Sequence, residues 1–264
     1  MPHDFETELN IAITAARRAG GLLWMHFDRG VETLTKSSPI DLVTEADKAS
    51  EAVIVSILAE AFPDHRIVAE EGGGNSIKSE CVWLVDPLDG TTNFAHGYPH
   101  FSVSIGLLCE GIAVVGVVYD VMRNELFTVV RGAGAWLNGR PIRVSRTPTL
   151  DRSLLVTGFP YDRQTDSQNN LDLFGKFLIQ AHGVLRTGSA ALDLAAVASG
   201  RLDGYWELKL SPWDSAAGIM LVIEAGGRVT DFTGAAADFW NDRVVASNGY
   251  IHEEMLACLR PVKH

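Results

Sequence analysis

The sequence predicts a mixed chain in which an α+β half, residues 1–147, precedes an α/β half, residues 148–264. Three observations predict this order. Two helical patterns open the chain, alternating apolar runs fill its middle, and strand and helix patterns alternate after about Thr147. The chain has 264 residues, 47% of them hydrophobic, which is enough for one large core or two small ones. No flexible linker separates the halves, so they are expected to form one rigid body.

The first half begins with two amphipathic helices. Apolar residues recur at steps of three and four over Asp4–Phe27 and again over Ala46–Ala61, and Pro63 ends the second pattern. Two short apolar runs follow, Arg66–Ala69 and Val82–Val85, and both are typical of buried strands. Each run leads directly into carboxylates.

The middle of the chain predicts antiparallel sheet, because apolar runs there alternate with turns that contain Gly or Asn. The predicted strands are Phe101–Leu107, Ile112–Tyr119 and Glu125–Val130. The Gly-rich stretch 131–141 predicts a hairpin at the sheet edge.

The second half alternates strands with helices. The predicted strands are Leu154–Thr157 and Val244–Ser247. The predicted helices are Leu171–Ala181, Ser189–Ala198, Asp214–Ala225 and His252–Leu259. Gly226, directly after the third of these helices, suits the left-handed cap that helix ends favour.

Composition restricts the partners that the chain is expected to bind. There are 22 Lys and Arg against 33 Asp and Glu, a net charge of -11, so neither nucleic acid nor a membrane is expected as a partner. The N-terminus lacks the features of a signal peptide, which favours a cytoplasmic location. Cys81, Cys109 and Cys258 lie far apart and are odd in number, so free thiols are expected.

Acidic residues concentrate where predicted strands and helices end. The segments are DLVTEAD (41–47), Glu70-Glu71, DPLDGTT (86–92) and WD (213–214). Each alone has an ordinary structural explanation, as a helix N-cap, a solvated loop or a proline-led turn. Such loop ends are also where functional side chains gather.

Residues 86–92 form the most specific of these segments. Pro87 removes a backbone donor after the strand, so the carbonyl of Leu88 can point at a ligand. Gly90 and Thr91 offer backbone amides at a helix start, where an anion such as phosphate is stabilised. Because carboxylates and phosphate repel each other, the segment predicts a divalent cation between them.

Five motifs, in order and over most of the chain, resemble the inositol monophosphatase family. They are DLVTEAD (41–47), VAEE (68–71), WLVDPLDGTTNF (83–94), GSAALDLAAVASGRLDGYWE (188–207) and WDSAAGIMLVIEAGG (213–227). The resemblance implies a layered αβαβα sandwich of the inositol monophosphatase and fructose-1,6-bisphosphatase type. It also implies a Mg2+-dependent, lithium-sensitive phosphatase that forms a homodimer and binds two or three ions between its halves.

The resemblance also implies the metal ligands. Glu70, Asp86 and the carbonyl of Leu88 would hold the first Mg2+. Asp86, Asp89 and Asp214 would hold the second, and a third ion would bind Glu70 through water. Ligation by oxygen alone is what Mg2+ prefers.

For catalysis, the resemblance implies that Asp47 and Thr91 orient the attacking water, with Glu70 beside the first ion. The implied substrate contacts are Asp89, Gly90, Thr91, Gly188, Ser189, Ala190, Glu207 and Asp214. Among them Glu207 suits vicinal hydroxyls, because a carboxylate accepts through two oxygens; its alternative is a surface charge at a strand end. Arg186 and Lys209 could meet a second phosphate or pair with surface carboxylates, and Lys36 is a further position of the family.

The predicted reaction is hydrolysis of a small phosphate monoester, with myo-inositol 1-phosphate preferred because Glu207 suits a polyol. Fructose 1,6-bisphosphate, histidinol phosphate and 3'-phosphoadenosine phosphate stay as alternatives, since a fold and a metal site do not determine the leaving group. A non-catalytic binding or regulatory module is the alternative from another class. Crowded carboxylates repel one another and destabilise the fold when no cation is bound. A protein without catalysis would have no need to keep them, which argues against the binding-module alternative.

Overall fold

The computed structural model describes residues 5–29, 33–35, 42–236 and 238–260. In these ranges the helices are α1 (Glu6–Arg29), α2 (Glu45–Ala61), α3 (Thr91–Ala95), α4 (Leu171–Gln180), α5 (Ala190–Ala198), α6 (Pro212–Glu224) and α7 (His252–Leu259). None of them combines the length and the apolar character needed to cross a bilayer.

The described strands form two large sheets and a ribbon of β1 (Thr33–Thr35) and β2 (Leu42–Thr44). The first sheet follows chain order: β3 (Arg66–Ala69), β4 (Cys81–Asp89), β5 (Ser102–Cys109), β6 (Ile112–Asp120), β7 (Glu125–Val130), β8 (Gly134–Leu137) and β9 (Arg140–Pro141). Its first pair is parallel and the other pairs are antiparallel.

The second sheet comprises β10 (Leu154–Thr157), β11 (Gly183–Leu185), β12 (Gly204–Leu208), β13 (Arg228–Thr230) and β14 (Arg243–Ser247). Its spatial order is β11-β10-β12-β14-β13. β10 pairs in parallel with β11 and β12, whereas β14 is antiparallel to both of its neighbours.

Helices and sheets alternate in layers, which confirms the predicted layered fold. α1 and α2 pack on one face of the first sheet, and α6 packs on its other face beside α5. α5 contacts the second sheet from within, whereas α4 and α7 cover its outer side. The core between the sheets combines residues from both halves, such as Leu84 and Leu194. The division at residue 147 falls between the two sheets and, as a domain boundary, stays a prediction.

Small residues explain how α1 approaches its neighbours. Ala12, Ala15, Ala16 and Ala19 are fully buried on one face of α1, and Leu23 extends the same stripe. Short side chains at steps of three and four allow close packing against α2 and the first sheet. The helical pattern seen in the sequence is therefore confirmed as the buried face.

A β-bulge at the end of β4 delivers the acidic segment to the site. Asp86 pairs with Ser104 of β5, and Asp89 pairs with Ser102, so two residues on β4 stand against one on β5. Pro87 lies inside this irregularity, and it has no N–H to donate to the ladder. The bulge re-aims the carboxylates at the point where pairing ends.

The predicted helices and the longer strands are confirmed with small shifts at their ends. The helix start expected at Gly90 and Thr91 is confirmed as α3, whose length the patterns did not predict, and the strands β1, β2, β11, β12 and β13 were missed. These elements are short, so they carry too few residues for a periodic pattern. Asp41 and Lys36 lie outside the described residues.

The free-thiol prediction is wrong for Cys81 and Cys109, which form a disulfide between β4 and β5. They are direct cross-strand partners with Cα atoms 4.1 Å apart. The sequence did not show this, because the register of the two strands decides which residues face each other. Cys258 is a buried free cysteine, as predicted.

Candidate active site

A cavity of about 800 Å³ lies between the two sheets' carboxylate-bearing loops and gathers residues from both halves of the chain. Of the predicted site residues, it is lined by Glu70, Asp86, Leu88, Asp89, Gly90, Thr91, Gly188, Ser189, Ala190, Glu207 and Asp214. Asp47 does not line the cavity but lies behind Thr91. The tertiary structure therefore brings segments together that are up to about half the chain apart.

Asp86 is held by its own bulge. Its Oδ1 accepts from the backbone N–H of Leu88 at 3.0 Å, and only 3% of its surface is exposed. Ser50 of α2 donates to the Pro87 carbonyl at 2.7 Å, which fixes the bulge from below. Leu88 lines the same cavity, while the direction of its carbonyl toward a ligand stays a prediction.

Asp89 joins the two halves of the chain. Its carboxylate accepts from the hydroxyl of Ser189 and from the backbone N–H groups of Ala190 (3.1 Å) and Ala191 (2.9 Å). Ser102 of β5 donates to it as well, at 3.1 Å. The N-terminus of α5 suits a carboxylate because its first N–H groups have no partner within the helix. Asp89 is consequently held by β5 in the first half of the chain and by the start of α5 in the second half.

Glu70 depends on a glutamate that the sequence reading missed. Glu51 of α2 is 4% exposed and accepts from the backbone N–H groups of Glu71 (2.7 Å) and Gly73 (2.6 Å). The Glu70 amide donates to the Val85 carbonyl at 3.2 Å, next to Asp86. The loop that carries Glu70 is thereby tied to both α2 and β4.

Asp214 sits in the first turn of α6, where it forms a capping box. Its Oδ2 accepts from the backbone N–H of Ser211 at 2.7 Å, and Pro212 occupies the start of the helix. Trp213 packs against the core between the sheets while also lining the cavity. Capping therefore orients Asp214, while Trp213 beside it has a packing role.

Thr91 opens α3 and connects the cavity to Asp47. Its hydroxyl lies 3.1 Å from Asp47 Oδ1 and 3.0 Å from the Leu88 carbonyl, and it has one hydrogen to donate. Gly90 precedes it with a φ of 100°, a left-handed conformation that glycine adopts without strain. Asp47 is fully buried, so it acts on the cavity through Thr91.

The four carboxylates at this end, Glu70, Asp86, Asp89 and Asp214, form what we call the cation end of the cavity. Burial raises the pKa of Asp86 well above its ordinary value, and repulsion from Glu70, Asp89 and Asp214 raises it further. Burial followed by repulsion from Glu70 raises the pKa of Asp214 in the same way. Burial also raises the pKa of Asp89, although its hydrogen bonds oppose the change.

The donor set of the cation end fits a hard divalent cation. It consists of oxygen atoms, and the cavity's two basic side chains face other groups: Arg186 acts on Asp193 and Glu207, while Lys209 pairs with two aspartates. In the described ranges, no three Asp, Glu, His or Cys side chains lie close enough together to form a metal-binding group as they stand. The fit is therefore one of donor type, since oxygen ligands completed by waters are what Mg2+ prefers.

The opposite end of the cavity, which we call the ester end, combines carboxylates with donors. Tyr205 donates to Glu207 at 2.8 Å, and the Thr187 hydroxyl bonds Asp193. Burial raises the pKa of Glu207 to about 7, and the Tyr205 hydrogen bond opposes this change. Burial likewise raises the pKa of Asp193 well above its ordinary value. Arg186 lowers both, so this end carries mixed charge.

Several residues of the site escaped the sequence reading. A detectable signal existed for α2, because Asp47, Ser50 and Glu51 continue the buried stripe of Ile54 at steps of three and four. No local pattern indicated Asp193, Tyr205 or residues 158–166, which line or support the cavity only through tertiary packing.

Comparisons with known proteins agree along nearly the whole chain. The model of the inositol monophosphatase family matches residues 4–263. An inositol-1-monophosphatase of Synechocystis sp. is 48% identical over 259 residues, which cover 98% of this chain and 90% of that protein. The Nus factor SuhB of Escherichia coli K12 is 47% identical over 255 residues, which cover 96% of this chain and 95% of that protein.

A solved structure is similar as well. The structure of an inositol monophosphatase from Anabaena superposes with a TM-score of 0.89 at 47% identity, and the match covers 97% of this chain and 96% of that one. The chain thus resembles both proteins named as enzymes and a protein named as a factor.

Proposed function

This chain belongs to the inositol monophosphatase family, and from that premise we propose that it hydrolyses a small phosphate monoester with the help of Mg2+. The observation that carries the proposal is the cation end, where four separate segments bring four carboxylates to one cavity and the pKa values of Asp86, Asp89 and Asp214 are raised. Such a cluster is costly unless cations bind to it.

The residues would divide the ions between them as the family resemblance implies. Glu70, Asp86 and the Leu88 carbonyl would hold the first Mg2+, Asp86, Asp89 and Asp214 the second, and Glu70 a third through water. When bound, such ions lower the pKa of a water and offset negative charge on the leaving oxygen.

Asp47 and Thr91 would orient the attacking water. When Asp47 accepts the Thr91 hydrogen, the lone pairs of Thr91 Oγ1 are left to accept a hydrogen bond from a water in the cavity. The buried position of Asp47 excludes direct contact with the substrate. The amides of Gly90 and Thr91 would bind the phosphate beside this water.

Charge supports a monoester over a bisphosphate. The described lining of the cavity holds seven Asp and Glu side chains against two cations, Arg186 and Lys209. Lys209 is engaged by Asp162 and Asp166 and is not available for a second phosphate. An uncharged polyol fits the ester end, because Glu207 and Asp193 can accept from hydroxyls. We therefore keep myo-inositol 1-phosphate as the proposed substrate.

Phosphate release tests this proposal. The panel is myo-inositol 1-phosphate, fructose 1,6-bisphosphate, histidinol phosphate and 3'-phosphoadenosine phosphate, each with Mg2+ and with EDTA. We expect Mg2+-dependent turnover with preference for the inositol ester. Preference for another ester would contradict the substrate and keep the mechanism, whereas turnover that survives EDTA would contradict the mechanism.

A regulatory role is the second candidate, and the specific observation that favours it is the similarity to a protein named Nus factor SuhB. If Mg2+ raises the melting temperature while no ester of the panel is hydrolysed, this candidate replaces the first. Absence of a nucleic-acid partner, the homodimer and the cytoplasmic location stay predictions. Sedimentation of the purified chain would test the dimer.

A further inference from the structure

Residues 158–166, which we call the strap, form a wall of the cavity that no sequence motif indicated. The strap leaves β10 and folds back on itself through hydrogen bonds from the Arg163 amide to the Pro160 carbonyl (3.2 Å) and from the Asp166 amide to the Asp162 carbonyl (3.0 Å). At its base, Asn170 donates to the Gly158 carbonyl at 2.6 Å. The strap is therefore an ordered part of the site.

Lys209 fastens the strap across the cavity. Its Nζ lies 2.5 Å from Asp162 Oδ2 and 2.7 Å from Asp166 Oδ2, so one ammonium bridges both ends of the turn. Lys209 has a φ of 62°, a region that glycine adopts freely and lysine only at a cost. A strained residue beside a site points to a function for its side chain. Here the side chain holds the strap above the loop that connects Glu207 to Asp214.

Tyr161 is the strap residue that faces the cation end. Half of its surface is exposed, yet it lines the cavity together with Glu70, Asp86 and Asp214. The ordinary pKa of a tyrosine is about 10, so its hydroxyl is protonated at neutral pH. No group in the described ranges hydrogen-bonds this hydroxyl. The Tyr161 hydroxyl is therefore a neutral hydrogen-bond donor beside the carboxylates of the cation end, which can only accept when they are ionised.

We propose that Tyr161 is a substrate-binding residue that donates its phenolic hydrogen to an oxygen of the substrate's phosphate, and that Lys209 is the positioning residue that holds it there. The inference rests on the proposed function, since it assumes that a phosphate ester occupies the cation end. A phosphate oxygen is the natural acceptor, because the carboxylates around it would be engaged by cations. A neutral donor also binds the anion without competing with Mg2+ for the carboxylates.

Tyr161→Phe removes the hydroxyl and keeps the ring. Because a hydrogen bond to a charged group is lost, we expect kcat/KM on the inositol ester to fall about tenfold to a hundredfold. Binding of inorganic phosphate in the presence of Mg2+, measured by calorimetry, should weaken to a similar degree. Tyr250→Phe is the matched control, since Tyr250 is 64% exposed and does not line the cavity; it should behave as wild type.

Lys209 variants separate the ion pairs from the backbone. Lys209→Gly relieves the positive φ but releases the strap, so we expect an unchanged or higher melting temperature with KM raised about threefold to tenfold and kcat little changed. Lys209→Met keeps the positive φ and removes the charge, and it should raise KM as much as Lys209→Gly does. Lys209→Arg keeps a positive charge, so its KM should stay near the wild-type value. High salt should raise KM in the wild type and not in Lys209→Gly.

The outcomes distinguish this inference from the proposed function. If the wild type turns over and Tyr161→Phe matches it in kcat/KM and in phosphate binding, the role of Tyr161 is overturned and the proposed function stands. If Lys209→Met behaves as wild type, the positioning role is overturned. If the wild type hydrolyses no ester but binds phosphate, phosphate binding by Tyr161→Phe and by the wild type is compared by calorimetry. Weaker binding by the variant supports the role of Tyr161, and equal binding overturns it. A wild type that neither hydrolyses an ester of the panel nor binds phosphate overturns both proposals.

Discussion

The cation end and the ester end of the cavity bury carboxylates in opposite electrostatic settings. At the cation end, Asp86 and Asp214 are surrounded by other carboxylates, which raise their pKa together with burial. At the ester end, Glu207 and Asp193 each have a hydroxyl donor, and Arg186 lowers the pKa of both. Burial is common to the two ends, whereas the neighbouring charges differ.

This difference indicates what each end binds. Repulsion among carboxylates is relieved by a cation, so the cation end gains most from a divalent ion. Carboxylates with donors and a guanidinium nearby are partly satisfied already, and they suit neutral groups that can both donate and accept. Under the proposed function, the cation end would take the phosphate with its ions and the ester end would take the leaving group.

Asp86→Asn should have the largest effect, because it removes the carboxylate that both ions would share. We expect kcat to fall on the order of 10³-fold or more. The metal-free protein should become more stable, since one buried negative charge is removed from the cluster. Turnover and Mg2+-dependent melting measure the two effects, and wild-type turnover would contradict the distinct character of the cation end.

Asp47→Asn should come next. Because it weakens the orientation of water through Thr91 without touching the proposed ligands, we expect kcat to fall about a hundredfold with near-normal Mg2+ binding. Thr91→Ser is the matched variant that keeps the hydroxyl and should keep most of the rate. Lost Mg2+ binding with kcat unchanged would assign Asp47 to structure instead.

Glu207→Gln should act at the ester end alone. We expect about a tenfold loss on the inositol ester and little change on an aryl phosphate, because only the polyol contact weakens. Gly158→Ala should reproduce this pattern, since a Cβ there would lie 2.0 Å from Glu207 Oε1 and displace the carboxyl. Gly175→Ala, with open space around it, is the control. Equal losses on both esters would contradict a separate role of the ester end in binding the polyol.

Proton competition should give the smallest effect. Where a folded-state pKa is raised, the folded protein binds more protons than the unfolded chain, so the metal-free protein loses stability as pH rises from about 4 through the raised pKa values of Asp86 and Asp214. Over the same range Mg2+ must displace those protons, and its affinity should increase with pH by up to about tenfold per unit for each proton. Melting curves at several pH values, with and without Mg2+, test this; a Mg2+ shift independent of pH would contradict it.

Much of the site could be predicted because its acidic residues stand at the ends of strands and helices, which short stretches of sequence indicate. Asp86 comes directly after a buried apolar run, and Pro87 with Gly90 marks the turn that brings Leu88 and Thr91 to the cavity. The helical steps of α2 and α6 likewise place Asp47 and Asp214 at helix starts. Cys81 and Cys109 were mispredicted for the complementary reason, since their pairing depends on strand register and not on local sequence.

The sequence by itself determined the mixed helix and strand character, the helices and longer strands, and the carboxylates that end them, because periodicity and turn chemistry act over a few residues. Only the tertiary structure decided which groups surround those carboxylates. Ser189 reaches Asp89 across 100 positions of the chain, and Lys209 reaches Asp162 across 47. Hydrophobic burial drives such segments together without direction, so the polar partners that meet are set by sheet register and layer packing.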